Sequence, residues 1–248
     1  MSKADELRLL REVIKNFPEA LAVWSPDGQL VACSDAYERL AAAAPAGDLS
    51  EYQSPDGRWL RRTVRGLEDG GSVELVTDIS ELRRAEQASR FLAYHDSLTG
   101  LPNRRLLDDR LRQAIRLAQR RDRMVATLLV HLEDLREVGG ALGEGACDAV
   151  LREVAERLSG CVRKADTVAR AALDEFALVV CDLKDAADCR VVADKVTQAL
   201  APEFRVAGRK LRIKASIGVS LFPADGGDGE ALLRSADAAR YRGRQLRR

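Results

Sequence analysis

The chain has 248 residues, with 40 Lys plus Arg against 39 Asp plus Glu and a formal charge of +1. That balance supplies no global field to draw it onto nucleic acid or a membrane surface. No apolar run approaches the roughly eighteen residues that a spanning helix needs, so no membrane insertion is expected. The length allows one or two domains, each able to bury a core. Five scattered cysteines (Cys33, Cys147, Cys161, Cys181, Cys189) form no CxxC pair and read as small thiols of a reducing cytoplasm, not as disulfides or a metal site. The first residues, Met-Ser-Lys-Ala-Asp-Glu-Leu-Arg, lack the apolar stretch of a secretory signal, and a cytoplasmic location is expected.

In chain order, Leu7, Leu10, Val13, Ile14 and Phe17 fall at helical spacing and predict a helix that ends at Pro18. Two short apolar runs around Ser25-Pro26-Asp27-Gly28 predict a hairpin over residues 20–33, followed by a helix over 35–44. A second Ser-Pro-Asp-Gly turn at 54–57 leads into a strand over 58–64, and 72–78 is another strand. Residues 79–94 contain no Gly or Pro, and Leu82, Ala85, Ser89 and Leu92 make an a/d-like stripe flanked by charges. That stripe fits either a plain linker helix or a short parallel coiled coil.

Beyond it, helices are predicted over 106–120, 148–162, 185–200 and 230–244, with strands over 124–130, 167–170, 176–181 and 211–221. Such an order suits a mainly antiparallel sheet with helices on its faces. The end of the chain is basic, with Arg240, Arg242, Arg244, Arg247 and Arg248 crowded together. Basic groups suit the C-terminal pole of a helix, and they also suit phosphate.

Four motifs recur in order through this second half. They are Asp96-Ser97-Leu98-Thr99-Gly100-Leu101-Pro102-Asn103-Arg104, Ala172-Leu173-Asp174-Glu175-Phe176, Ser216-Ile217-Gly218-Val219 and Ala236-Asp237-Ala238-Ala239-Arg240-Tyr241. Together they resemble the GGDEF family, the diguanylate cyclases that join two GTP molecules into cyclic di-GMP. The first half, hairpin, helix, hairpin, with Asp78-Ile79-Ser80 leading into the next helix, looks similar to a PAS sensor domain. The expected fold class is therefore α+β: an N-terminal helix (1–17), a PAS-like antiparallel sheet domain (18–78), a signalling helix (79–95) and a nucleotidyl-cyclase-like α/β GGDEF domain (96–248). The PAS-like stretch contains no His for a haem, and Cys33 ends an apolar strand. Dimerisation and signal relay are expected of it rather than small-molecule sensing.

The resemblance implies one eroded site and one complete site. The family holds Mg²⁺ between an Asp that ends the first strand and the acidic third residue of the signature. Those positions are His131 and Asp174 here, and imidazole is a poor ligand for so hard an ion. Glu175 is retained beside Asp174 as the other catalytic acid. The family reads guanine with an Asn and an Asp, which match Gly139 and Asp148. Its signature glycines are Ala172 and Leu173, where a Leu in a turn built for Gly is expected to be strained or to adopt another turn type. Triphosphate contacts map onto Arg136, Arg244 and Arg248, with Arg in place of Lys at Arg136 and Arg244. The family's Arg-x-x-Asp product site, by contrast, is matched by Arg163 and Asp166, with Lys195 or Arg190 as its third basic residue. The expected protein is a homodimeric cyclic di-GMP receptor or regulatory partner of an unidentified protein, needing no cofactor. An active cyclase with a remodelled site, which would use Mg²⁺, and a scaffold that binds no nucleotide are the alternatives.

Overall fold

The computed structural model describes residues 3–41, 50–206 and 208–245. The chain divides into two compact units, Met1–Ser89 and Arg90–Arg248.

The first unit opens with α1 (Lys3–Lys15) and then forms β1 (Ala20–Trp24), β2 (Leu30–Cys33), α2 (Asp35–Ala41), β3 (Glu51–Gln53), β4 (Trp59–Gly66) and β5 (Ser72–Asp78). The rest of the expected 35–44 helix lies outside the described residues. The strands make one antiparallel sheet in the order β2-β1-β5-β4-β3. The two Ser-Pro-Asp-Gly turns use the same chemistry. Ser25 Oγ and Ser54 Oγ each donate to the Asp two residues on at 2.5 Å, and Gly28 and Gly57 take φ of 79° and 88°, a region that disfavours side chains. Ala20, Ala22, Leu60 and Val76 pack with Tyr37 of α2 and Tyr52 of β3 into a small core. The three-residue β3 was not foreseen, because its Glu-Tyr-Gln carries no apolar run.

The helix α3 (Ser80–Tyr94) crosses the division between the units. Its start is pinned to the first sheet. Asp78 Oδ1 accepts from the Ser80 N–H at 2.9 Å, and Ser80 Oγ accepts from the Trp59 N–H at 2.9 Å. Arg83 pairs with Glu51 and lies 5.2 Å from the centre of a Trp59 ring. Past that turn Leu82, Phe91 and Leu92 are all exposed.

The second unit contains α4 (Arg104–Arg121), β6 (Met124–Leu132), α5 (Leu135–Leu142), α6 (Glu144–Ser159), β7 (Thr167–Arg170), β8 (Glu175–Leu183), α7 (Ala186–Leu200), β9 (Phe204–Val206), β10 (Arg209–Leu211), β11 (Ala215–Phe222) and α8 (Gly229–Gln245). A four-stranded sheet in the order β11-β6-β8-β7 is antiparallel throughout. Alternation along β6 sends Leu128, Val130 and Leu132 to one core with α6 and α7, while Val125 and Leu129 face α4 and α8. Asn103 caps α4 by accepting from the Leu106 N–H at 3.2 Å, and Asp185 caps α7 in the same way from Ala187.

One expectation is corrected. The strand over 211–221 begins only at Ala215; Arg209–Leu211 instead pairs with Phe204–Val206 in a separate hairpin that opens at Gly208, φ 75°. Residues 135–142 form a helix despite Gly139 and Gly140, because Leu135 and Val138 bury one side of it. Among the described residues no helix is long and apolar enough to cross a membrane.

Candidate functional site

Strand register builds the first site. On β6, His131 stands opposite Glu175 of β8 and Ser216 of β11. Directly opposed residues share a sheet face, so these three make a row at one end of the sheet, on the face that α8 covers. Gly218 allows that cover. A Cβ there would lie 1.9 Å from the Ala236 carbonyl oxygen and 2.6 Å from the Arg240 nitrogen. The close approach carries Arg240 over the row. Its Nη2 lies 3.9 Å from Glu175 Oε1 and 2.5 Å from Asp237 Oδ1, and its Nε donates to the same Asp237 oxygen at 3.0 Å. The Arg240 side chain is only 12% exposed. His131 Nδ1 lies 3.0 Å from the Leu132 carbonyl oxygen, a contact that requires Nδ1 to carry the proton and donate. Ser216 Oγ is buried without a partner.

Asp174 sits in the turn before β8 and offers its carbonyl to the Leu132 N–H at 3.0 Å. Neither Ala172 nor Leu173 has positive φ, so the expected strain at Leu173 is absent; the hairpin takes another turn and leaves this side chain 73% exposed. The turn is held from behind by Arg170, whose role the sequence did not reveal. Arg170 Nη2 donates to the Leu173 carbonyl at 2.7 Å, and Nη1 lies 3.1 Å from both oxygens of Asp96. Asp96 also accepts from the Thr99 N–H and hydroxyl at 2.9 and 2.7 Å. Burial alone would raise the Asp96 carboxyl, but the Thr99 hydrogen bonds and the Arg170 charge outweigh it and hold it below the ordinary range. The Asp96–Arg104 motif is thus a brace for the signature turn.

These residues do not fit magnesium. The ion takes oxygen ligands in strict geometry, whereas His131 offers nitrogen and Glu175 already faces a guanidinium. Among the described residues no three His, Cys, Asp or Glu side chains gather closely enough to hold a metal ion. On the base-reading side, Gly139 of α5 faces Cys147 of α6; a Cβ at 139 would lie 3.1 Å from Cys147 Sγ, which donates to the Leu135 carbonyl at 3.2 Å. Asp148 is partly exposed, with Arg152 3.8 Å away. Arg136 is exposed on α5. Arg244 lies on α8 with its side chain undescribed, and Arg248 lies outside the described residues.

The second site is the turn between α6 and β7. Asp166 Oδ2 accepts from the Arg163 N–H and Oδ1 from the Cys181 N–H, each at 3.0 Å, while the Asp166 N–H donates to the Arg163 carbonyl. One carboxylate therefore closes the turn and extends the β7–β8 ladder. Arg163, Lys164 and Lys195 are exposed, and none has an ion pair among the described residues. Lys195 lies on α7, and burial pushes the Cys161 thiol up while the Lys195 charge pulls part of that rise back. Arg190 is exposed on the same helix.

The first unit also holds a buried charge that sequence reasoning missed. Glu74, 2% exposed, accepts from Trp24 Nε1 at 3.1 Å and from Arg62 Nε at 2.7 Å. Burial first, then the nearby Glu74 charge, push the Tyr37 hydroxyl well above its usual range and raise that of Tyr52. Only period-two spacing on an apolar strand placed Glu74 inward, and that signal does not tell a paired core carboxylate from an edge residue.

Residues 93–248 match the family model described as "Diguanylate cyclase, GGDEF domain". Over 162 residues the chain is 43% identical to the bifunctional diguanylate cyclase/cyclic di-GMP phosphodiesterase MucR of Pseudomonas aeruginosa, covering 65% of this chain and 24% of that protein. The solved GGDEF domain of TpbB from the same species is 35% identical, with a TM-score of 0.59 over 61% of this chain and 89% of that one. A sensory box/GGDEF family protein from Caulobacter crescentus is 36% identical, with a TM-score of 0.60 over 62% of this chain and 99% of that one. The chain spans about a quarter of the length of MucR.

Proposed function

Since its residues 93–248 place this chain in the GGDEF family, we propose that it is a cyclic di-GMP signalling protein whose GGDEF domain binds the dinucleotide at Arg163 and Lys195 and does not synthesise it. The observation that carries this reading is the contrast in commitment. Among the described residues Arg163 stands exposed and unpaired at the turn before β7 and Lys195 exposed and unpaired on α7, whereas Arg240 is already held by Asp237 and stands 3.9 Å from Glu175. Cyclic di-GMP carries two phosphates and two guanine edges, which suit a guanidinium fork and an ammonium. Asp166 holds the turn in shape, and each of its oxygens keeps a further lone pair for a guanine N–H. Relay runs through a homodimer formed by the PAS-like unit and α3. Its support is a fifteen-residue helix that leaves Leu82, Phe91 and Leu92 in solvent, a length at which isolated helices are marginal. A cytoplasmic location and a protein partner belong to the same reading.

Calorimetry with cyclic di-GMP tests it. Each well-formed charge-assisted hydrogen bond contributes roughly 1.5–3 kcal/mol, so Arg163→Ala weakens binding about tenfold to a hundredfold at unchanged melting temperature. Asp166→Ala loses affinity and melting temperature together, because it also opens the turn. Absence of binding by the wild type at millimolar ligand replaces the receptor with a scaffold. Turnover of GTP with Mg²⁺ that is abolished by Asp174→Ala restores the cyclase.

A further inference from the structure

We propose that the signature end of the sheet is closed from within: the Arg240 guanidinium is a resident counter-ion for Glu175, and the Cys147 thiol fills the space beside Gly139. This rests on the receptor reading above and gives it a physical cause, in which one side chain sets a cation beside Glu175, the chain neighbour of the metal-position Asp174, and another takes the space beside the base-reading position.

Arg240 is there because the backbone leaves it no alternative. The contact at Gly218 sets the height of α8 over β11, and at that height Arg240 lies above the row of Glu175, His131 and Ser216. Asp237 fixes the guanidinium through both Nε and Nη2, with Glu175 at 3.9 Å on the other side. A divalent ion drawn to Glu175 would meet like charge at close range and, at His131, an imidazole in place of oxygen. Replacing His131 with a carboxylate adds a ligand and leaves the resident cation in position. Two changes are therefore needed to admit a metal.

The base side follows the same pattern. Any side chain at 139 begins with a Cβ 3.1 Å from Cys147 Sγ, and the thiol is anchored by its bond to the Leu135 carbonyl. Gly139 and Cys147 are complementary: the space that one vacates the other occupies.

The experiment uses the full chain and Mn²⁺, whose free and bound forms are distinguished by electron paramagnetic resonance. The wild type and His131→Asp are expected to take up no Mn²⁺ at millimolar concentration, whereas His131→Asp with Arg240→Leu binds at least tenfold more tightly than His131→Asp alone. Arg240→Gln, which keeps the length and removes the charge, carries the same test if the Leu variant does not fold. Uptake by the wild type, or equal affinity with and without Arg240, overturns the closure. Gly139→Asn is expected to lower the melting temperature and Gly139→Asn with Cys147→Gly to restore it; a single Asn variant as stable as wild type overturns the base-side half. Calorimetry with cyclic di-GMP on the same proteins keeps the two readings apart. Affinity is expected to stay unchanged in every variant, and loss of binding already in the wild type sinks the receptor reading without touching the Mn²⁺ result.

Discussion

The two ends of the GGDEF unit hold similar numbers of charged groups and use them in opposite ways. At the signature end the charges face one another: Arg240 is held by Asp237 and stands near Glu175, and Arg170 forks onto Asp96. At the turn before β7 only the acid is committed, with Asp166 spent on two backbone N–H groups while Arg163, Lys164 and Lys195 face water. An incoming anion gains nothing from a guanidinium that must first leave a carboxylate, and it gains a full charge-assisted bond from one that is free. Retained residue types therefore say less about a site than their partners do. Glu175 is present as the family has it, with a guanidinium 3.9 Å away.

Gly218→Ala breaks that contrast most severely. The added methyl lies 1.9 Å from the Ala236 carbonyl oxygen, and backbone on both sides cannot give way as a side-chain tip can. Overpacking of this kind costs about 3 kcal/mol, and in a unit of this size it lowers the melting temperature by roughly 6–12 °C. Thermal unfolding checks it. A variant as stable as the wild type would mean that α8 does not rest on β11 at this height, and Arg240 would then have no fixed place over Glu175.

The brace behind the signature turn is the next largest effect, and pH reveals it. The folded Asp96 carboxyl titrates below its unfolded value of about 3.9, so its contribution is fully present above that value and is lost as pH falls through the lower folded one. Wild-type protein should lose stability in that acid window faster than Asp96→Asn, which carries no titrating group there. At neutral pH, Arg170→Met should cost about 2–3 kcal/mol in denaturant unfolding, less than a fully buried pair because Asp96 keeps some solvent contact. Identical acid limbs for wild type and Asp96→Asn would show that the pair contributes nothing.

Much of this was legible in the sequence, and the exceptions have causes. The central strands β6 and β8 carry long apolar runs, and Thr167–Arg170 and Ser72–Asp78 begin and end where the pattern places them. No helix was predicted over Leu135–Leu142, where two adjacent glycines lower helix propensity and only tertiary burial of Leu135 and Val138 offsets it. The strand expected from 211 ran too far upstream because Leu211 and Ile213 belong to a hairpin and its exit, whose register depends on a turn rather than on apolarity. At the sites, the family resemblance pointed to His131, Gly139 and Arg163. It did not show that Arg240 reaches Glu175, since that contact joins residues sixty-five apart through one glycine on a third strand.

If α3 pairs as proposed, that association is expected to have a smaller effect than either packing change, spread along the helix. Leu82 and Leu92 lie three turns apart on the same stripe and are about half exposed. Leu82→Glu with Leu92→Glu should move the protein from dimer to monomer at micromolar concentration in sedimentation, with the melting of both units unchanged. A wild-type monomer over that range would leave the relay without its connecting element.

The smallest effect is the most discriminating. Asp174 belongs to the signature turn, and its structural tie to β6 runs through its main-chain carbonyl, not through its carboxylate. Asp174→Ala therefore keeps the bond to Leu132 and the Arg170 brace, and stability should change by no more than about 0.5 kcal/mol, as at an ordinary surface position. Its carboxylate lies in the turn before β8, while Arg163 and Asp166 precede β7 and meet the other end of β8 near Cys181. Cyclic di-GMP affinity should consequently match the wild type within about twofold, while Arg163→Ala falls by the factor given above. If calorimetry instead finds Asp174→Ala as damaging as Arg163→Ala, the dinucleotide is held at the signature turn, and the assignment of one closed end and one receptive end is reversed.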